Sequence, residues 1–268
     1  MLNGIGTGQT LAYDLVEAVL ISGASLPTPG IALIKLQSAA QDENAGIHEF
    51  AKAVEADPAV SGALMRVANS AVLRPPRKST TVEQAISVIG FSRTLAVTAS
   101  VCLKSQSELL KGELRAIVEA IFDASNRAAE FSYLVARNSS QRRLGDSAYL
   151  GSLMQDTGII MQAKRGQTVS IESAELDDEH AAISAHLIRN WKMPNDVAAA
   201  VAVHHNAREA EKLGGDICAI ACLLAAGRRL RDGETEAWQA WAELVEKTLN
   251  IGNDELAEIL ANVESAES

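Results

Sequence analysis

The sequence has few cysteines, and their placement argues against disulfides. Cys102, Cys218 and Cys222 all lie in apolar runs with a helical period. Cys218 and Cys222 are four residues apart, so they do not form a C-x-x-C loop. We therefore predict that the three are reduced core residues of a cytosolic protein, with no disulfide or zinc-binding role.

The sequence also lacks a hydrophobic run long enough to cross a membrane. The segment ICAIACLLAAG at 217–227 is among the longest apolar runs, and a bilayer span needs about 20 such residues. The first ten residues, MLNGIGTGQT, do not combine a basic segment with an apolar one, which argues against a signal peptide. A cytoplasmic location without a membrane partner is the expectation.

Positive charge is not in excess either. The formal net charge of −10 repels polyphosphate over most of the surface, so no nucleic-acid partner is expected. One local exception is the loop VLRPPRKST at 72–80. Its cations, Arg74, Arg77 and Lys78, could bind a phosphate or an acidic partner, or could belong to a solvated loop.

Sequence motifs of several enzyme classes are missing as well. The chain has no G-x-G-x-x-G or Walker loop and no serine in a recognisable nucleophile elbow. Nucleotide-cofactor enzymes and acyl-transfer enzymes are therefore excluded.

What the chain does contain is helical periodicity along almost its whole length, and 47% hydrophobic residues to form a core. Asp57-Pro58 predicts a helix start with Asp57 as the cap, and Thr81 to Glu83 open a helix that ends at Gly90. Nothing in the pattern indicates a strand, so an all-α fold is predicted. The polar run at 105–115 indicates two lobes, at residues 1–107 and 108–268.

The segment at 150–205 concentrates residues that could carry chemistry. Helical spacing places Asp156, His180 and His204 on inward-facing sides, and His205 follows directly. We expect Asp146 to cap the helix that carries Gln155 and Asp156. Two histidines and one carboxylate can bind a divalent metal, or these groups can hydrogen-bond one another as buried polar groups do.

Three segments of the N-terminal half resemble a known family. They are LPTPGIALIKLQ (26–37), AKAVEADPAVSGALMRVANSAVL (51–73) and TTVEQAISVIGFSRTLAVTASVCL (80–103). They look like successive parts of the HDOD domain, a bacterial regulatory family related to the HD superfamily of metal-dependent phosphohydrolases. The resemblance covers about residues 22–227. It implies a two-lobed helical bundle whose C-terminal lobe is built like an HD domain, in a setting of bacterial signalling, often near cyclic di-GMP or two-component pathways.

The same resemblance predicts an incomplete metal site. The first histidine of an active HD enzyme would fall at about Ala124, its His-Asp pair at Gln155-Asp156, and its late aspartate near Ala225 or Ala226. Ala124 and its neighbour Ser125 cannot replace an imidazole, and Gln155 offers only a weak amide ligand. A two-metal centre is therefore not expected.

Two functions follow from this comparison. The first is a non-catalytic signal-transduction module that binds a signalling protein or a small effector and requires no cofactor. The alternative is a metal-dependent phosphohydrolase with a reduced site, in which one divalent metal is held by Asp156, His180 and His204, with His205 nearby. Gln155 and the cations of the 72–80 loop are further candidate binding residues. Arg228, Arg229 and Arg231 are interpreted as cations at a helix end.

Overall fold

A computed structural model describes residues 27–70, 73, 77–107, 110–164, 178–233 and 235–267. Within these ranges all regular secondary structure is helical, which confirms the all-α prediction. The helical period of the sequence also predicts a helix at residues 9–22, which lies outside the described residues, as does Arg74 of the basic loop.

Contacts divide the described residues into two units. One contains residues 27–107 and 257–267, and the other contains residues 110–256. Residues 108 and 109 are not described, so the boundary between 107 and 108 stays a prediction.

The helices of the first unit begin and end where local chemistry places them. They are α1 (Ile31–Ala39), α2 (Ile47–Glu55), α3 (Pro58–Ala68), α4 (Val82–Ile89) and α5 (Phe91–Ser107). The Asp57 carboxylate accepts hydrogen bonds from the backbone N–H groups of Ala59 and Val60, at 2.8 and 3.3 Å. This confirms the predicted cap of α3.

Helix α4 also matches its prediction. The Thr81 hydroxyl accepts a hydrogen bond from the Gln84 backbone N–H at 3.2 Å, and Gly90 ends the helix with a φ of 81°.

None of the described helices has by itself the length and apolar composition of a membrane span. One pair of helices, Val82–Ile89 with Phe91–Ser105, reaches that length and composition together but is bent by 115°.

The second unit contains the longest helices. In order they are α6 (Gly112–Asn138), a 3-10 turn (Arg142–Leu144), α7 (Gly145–Met154), α8 (Gly158–Lys164), α9 (Asp178–Asn190), α10 (Asn195–Ala202), α11 (Ala207–Leu213), α12 (Gly215–Asp232) and α13 (Glu236–Leu249). The last helix is α14 (Asn253–Glu267), whose residues from 257 onward belong to the first unit. Trp238 and Trp241 of α13 are buried, and so are the three cysteines, which are free thiols.

The start and end of α7 differ from the prediction. The 3-10 turn leads directly into α7, so Asp146 lies in the first turn of the helix and does not cap it. The helix ends at Met154, which leaves Gln155 and Asp156 in a turn before α8.

Helices α6, α7 and α12 pack together at the centre of this unit. The hydroxyls of Ser132 on α6 and Ser152 on α7 are 2.7 Å apart and hydrogen-bonded. A Cβ at Gly227 of α12 would overlap the Ser132 hydroxyl and lie 2.6 Å from the Ala128 carbonyl oxygen. Because Gly227 has no side chain, α12 can lie directly against α6. This close packing sets the direction in which the next turn of α12 faces.

Candidate functional site

The candidate site lies where three helix ends meet. Asp156 occupies the turn between α7 and α8, His180 lies near the start of α9, and His204 and His205 follow the end of α10. The start of α8 is held against α9, because the Gly158 backbone N–H donates to the Ser184 hydroxyl at 2.8 Å. A Cβ at Gly158 would overlap the carbonyl oxygen of His180, so only glycine permits this approach.

The four predicted metal-site residues come together there. Oδ1 of Asp156 is 3.6 Å from Nε2 of His180 and 3.8 Å from Nε2 of His204. Nε2 of His205 lies 3.2 Å from Nε2 of His180, and the three histidines each place a ring nitrogen within 4.8 Å of the others. His180 and His204 are 0% exposed and Asp156 is 7% exposed.

Hydrogen bonding assigns the proton of His204. Its Nδ1 lies 2.6 Å from the Val201 carbonyl oxygen, which only accepts, so Nδ1 carries the hydrogen. The lone pair is then on Nε2, which faces Asp156. Among the described residues this buried nitrogen has no hydrogen-bond partner, and the same is true of Nδ1 of His180. A buried lone pair of this kind is available to a cation.

The second oxygen of Asp156 is in different surroundings. Oδ2 accepts a hydrogen bond from the Ser125 hydroxyl of α6 at 3.3 Å. The guanidinium of Arg231 on α12 also approaches Oδ2, with 4.0 Å between Nη1 and the oxygen. One oxygen of the carboxylate therefore faces histidines, and the other faces a hydroxyl and a cation.

Gln155 is likewise bound from within the protein. Its Oε1 accepts from the Arg228 guanidinium at 3.0 Å, and the same guanidinium donates to the His204 carbonyl oxygen at 2.5 Å. Gln155 is 0% exposed, so its side chain lies in the interior of the cluster.

Sequence reasoning missed three of these contacts. Ser125 was considered only as a failed imidazole, yet it binds Asp156. Arg228 and Arg231 were interpreted as helix-end cations, yet both point to the cluster. The resemblance placed the late aspartate of an active HD enzyme near Ala225 or Ala226. The residues of α12 that contact the cluster lie further along the helix, at Arg228 and Arg231. A signal was present in their spacing of three, which puts two cations on one helix face.

Electrostatics favours an ionised Asp156 carboxylate beside neutral His204 and His205. Burial opposes the ionisation of Asp156, but the facing side chains of His180 and His204 outweigh it and hold its pKa well below the ordinary value of 3.8. Burial lowers the pKa of His204 from 6.5 to about 4, against the opposing effect of Asp156. Burial, with the charges of nearby groups, lowers the pKa of His205 further. An ionised carboxylate and neutral imidazoles are the states that bind metals.

These residues fit one divalent metal. Ligand atoms about 2.0–2.2 Å from a tetrahedral ion lie roughly 3.4 Å from each other, and the separations of 3.2, 3.6 and 3.8 Å around Oδ1 and the ring nitrogens are close to that value. A second metal does not fit, because Ser125 and Arg231 already surround Oδ2 and Arg228 binds Gln155.

The remaining candidate residues are not part of this cluster. Arg77 and Lys78 belong to the first unit, where both are exposed. Arg74 lies outside the described residues. Binding by the basic loop therefore stays a prediction.

A family model, that of the HDOD domain, matches residues 26–207 of the chain. No curated protein matches the chain.

Solved structures with a similar fold span nearly the whole chain. One, provisionally named a metal-dependent phosphohydrolase, from Shewanella amazonensis, is 15% identical and covers 97% of this chain and 99% of its own, with a TM-score of 0.69. An HDOD domain protein of unknown function from Geobacter sulfurreducens is 16% identical, covering 97% and 98%, with a TM-score of 0.60. A protein provisionally named for signal transduction, from Marinobacter aquaeolei, is 20% identical and covers 96% of this chain and 65% of its own, with a TM-score of 0.62. At these identities the likeness establishes the fold, and it confirms the predicted HDOD-like helical architecture.

Proposed function

Because this chain belongs to the HDOD domain family, we propose that it is a non-catalytic module of bacterial signal transduction. Its HD-like cluster then serves to hold helices together. Its output is the binding of a signalling protein or a small effector, with no cofactor required. A link to cyclic dinucleotide pathways is part of the same proposal.

One observation carries this proposal: the hydroxyl of Ser125 lies against the Asp156 carboxylate. Ser125 lies on the long helix α6, and it donates a hydrogen bond to Oδ2 of Asp156. Hydrolysis of phosphodiesters by metals requires cations that activate water and offset charge on the phosphoryl group, commonly two ions that share carboxylates. Here the carboxylate oxygen that a second ion would need is bound to a hydroxyl.

The regulatory part of the proposal has separate support. The similar fold in a protein provisionally named for signal transduction is consistent with a regulatory setting. Fold likeness is a weaker warrant than a site, so the partner has to be found by binding experiments.

The experiment combines turnover with binding. Purified protein is assayed with Mn²⁺ or Fe²⁺ on cyclic dinucleotides and on a chromogenic phosphodiester, beside Asp156→Ala and the exposed-site control Asp254→Ala. We expect the wild-type protein to show no metal-dependent turnover above that of Asp156→Ala. We also expect its melting temperature to shift with a cyclic dinucleotide or a signalling partner. Robust turnover that Asp156→Ala abolishes and Asp254→Ala retains would refute the proposal.

A second candidate function has its own observation. The unpartnered Nε2 of His204 and the convergence of three histidines favour a single-metal phosphohydrolase. His180, His204 and His205 would hold the ion with Oδ1 of Asp156, and a bound ion supplies Lewis acidity and an activated water. The test is elemental analysis of protein reconstituted with Mn, Fe or Zn. Absence of stoichiometric metal after reconstitution removes this candidate.

A further inference from the structure

We propose that Arg231 supplies, from within the chain, the positive charge that a metal ion would otherwise provide beside Asp156, and that Arg228, on the same helix face, adds positive charge beside Gln155 and His204. The inference rests on the proposed non-catalytic function and assigns its cause to two residues of α12. It makes the cluster stable without metal and weakens its affinity for divalent ions.

The geometry of Arg231 is the first support. Its Nη1 lies 4.0 Å from Oδ2 of Asp156, and the two side chains are only 10% and 9% exposed. A buried carboxylate requires a nearby cation or hydrogen bonds. Arg231 is a cation close to Oδ2, and Ser125 donates one hydrogen bond to the same oxygen. A guanidinium stays protonated at every physiological pH, so this charge is permanent.

Arg228 provides the second support. One of its amino groups donates to Oε1 of Gln155, and the other donates to the His204 carbonyl oxygen. It therefore bridges the turn before α8 and the turn after α10. An imidazole at position 155 would offer a lone pair to a metal, whereas the amide oxygen of Gln155 accepts from a fixed cation.

The third arginine of the run shows that the arrangement is specific to one helix face. Arg229 follows directly on Arg228, but its guanidinium carbon lies 5.9 Å from the ring centroid of Trp238. Residues three apart share a helix face, and adjacent residues do not. Arg229 is thus a matched control with the same charge on the same turn of α12.

The experiment compares the stability and Mn²⁺ affinity of the full chain with those of single variants. Because wild-type protein is expected to bind Mn²⁺ only weakly, its melting temperature should differ little between EDTA and Mn²⁺. Arg231→Gln should melt several degrees lower in EDTA, should recover most of that loss in Mn²⁺, and should bind Mn²⁺ roughly tenfold more tightly, because one adjacent like charge is gone. Arg228→Gln should change in the same direction. Arg229→Gln and the charge-retaining Arg231→Lys should keep wild-type Mn²⁺ affinity.

Two results would overturn the inference. One is wild-type protein that loses several degrees in EDTA, because a metal is then already the required cation. This measurement stands even if a variant fails to fold. The other is an unchanged Mn²⁺ affinity in both glutamine variants. Neither result involves turnover, so failure of this inference is distinguishable from failure of the proposed function.

Discussion

His204 is the residue whose surroundings are most completely defined. Its Nδ1 donates to the Val201 carbonyl oxygen, its Nε2 faces Asp156, and its ring centroid lies 3.9 Å from that of His205. His204 itself is 0% exposed, so protonating it in the folded state is unfavourable even beside a carboxylate.

This burial predicts a loss of stability in acid. The pKa of His204 is lowered from 6.5 to about 4 in the folded protein, so the unfolded chain binds more protons between these values. The contribution of His204 to the free energy of unfolding should therefore be complete above pH 6.5. It should fall by up to about 3 kcal/mol as the pH drops toward 4. Urea denaturation at a series of pH values measures it.

The matched comparison uses two histidine variants. His204→Gln should reduce this pH dependence by the contribution of His204 and leave the part that comes from His205, whose pKa is also lowered. His48→Gln, at an exposed residue of α2, should keep the full pH dependence. A wild-type stability that is constant from pH 7 to pH 4 would contradict the assigned burial of His204.

At the scale of elements, the site depends on the close approach of α8 and α9. The Cα and carbonyl carbon of His180 would each lie 2.9 Å from a Cβ at position 158. Both are backbone atoms, so a side chain there cannot be accommodated by rotating a neighbour.

We therefore predict that Gly158→Ala destabilises the protein by about 2–4 kcal/mol, because α8 must move away from His180. Chemical denaturation measures the change. Gly62→Ala is the control: it lies inside α3, its Cβ would lie 3.7 Å from the Arg66 side chain, and its better helix propensity should be neutral or stabilising by up to about 1 kcal/mol. Equal stability of Gly158→Ala and wild type would contradict the packing.

The elements also show what the sequence could predict. The starts of α3 and α4 and the end of α4 follow from Asp57, Thr81 and Gly90, since caps depend on residues next to one another. The start of α7 was wrong because a 3-10 turn precedes it without a distinctive sequence signal. Local chemistry thus sets helix ends, but not the turns that join them.

The contacts of the site were harder to predict than its residues. Helical spacing predicted that Asp156, His180 and His204 face inward. The structure brings these three and His205 together, although Asp156 and His204 lie in turns and not within helices. The partners Ser125 and Arg231 are far from Asp156 in sequence, and only the packing of α6 and α12 brings them to Oδ2. A helix-end position for Arg228 and Arg231 suits the dipole equally well, so sequence alone did not choose between the two interpretations.

At the scale of the whole molecule, the fold of the family is retained around a cluster whose residues fit one metal ion. The HDOD domain match covers residues 26–207, and a structure with a TM-score of 0.69 spans 97% of the chain. Within the described residues the cluster holds one carboxylate and is flanked by two guanidinium groups. Hydrophobic burial and helix packing can preserve such a fold when metal ligands are lost, because they do not depend on those ligands.

The central claim is that the cluster around Asp156 holds at most one metal ion, with Arg231 beside the other carboxylate oxygen. The most direct measurement is anomalous X-ray scattering from crystals of the full chain grown with Mn²⁺. We predict either no peak or a single peak among His180, His204, His205 and Oδ1, with the Arg231 guanidinium still next to Oδ2. Two peaks bridged by the Asp156 carboxylate would contradict the account.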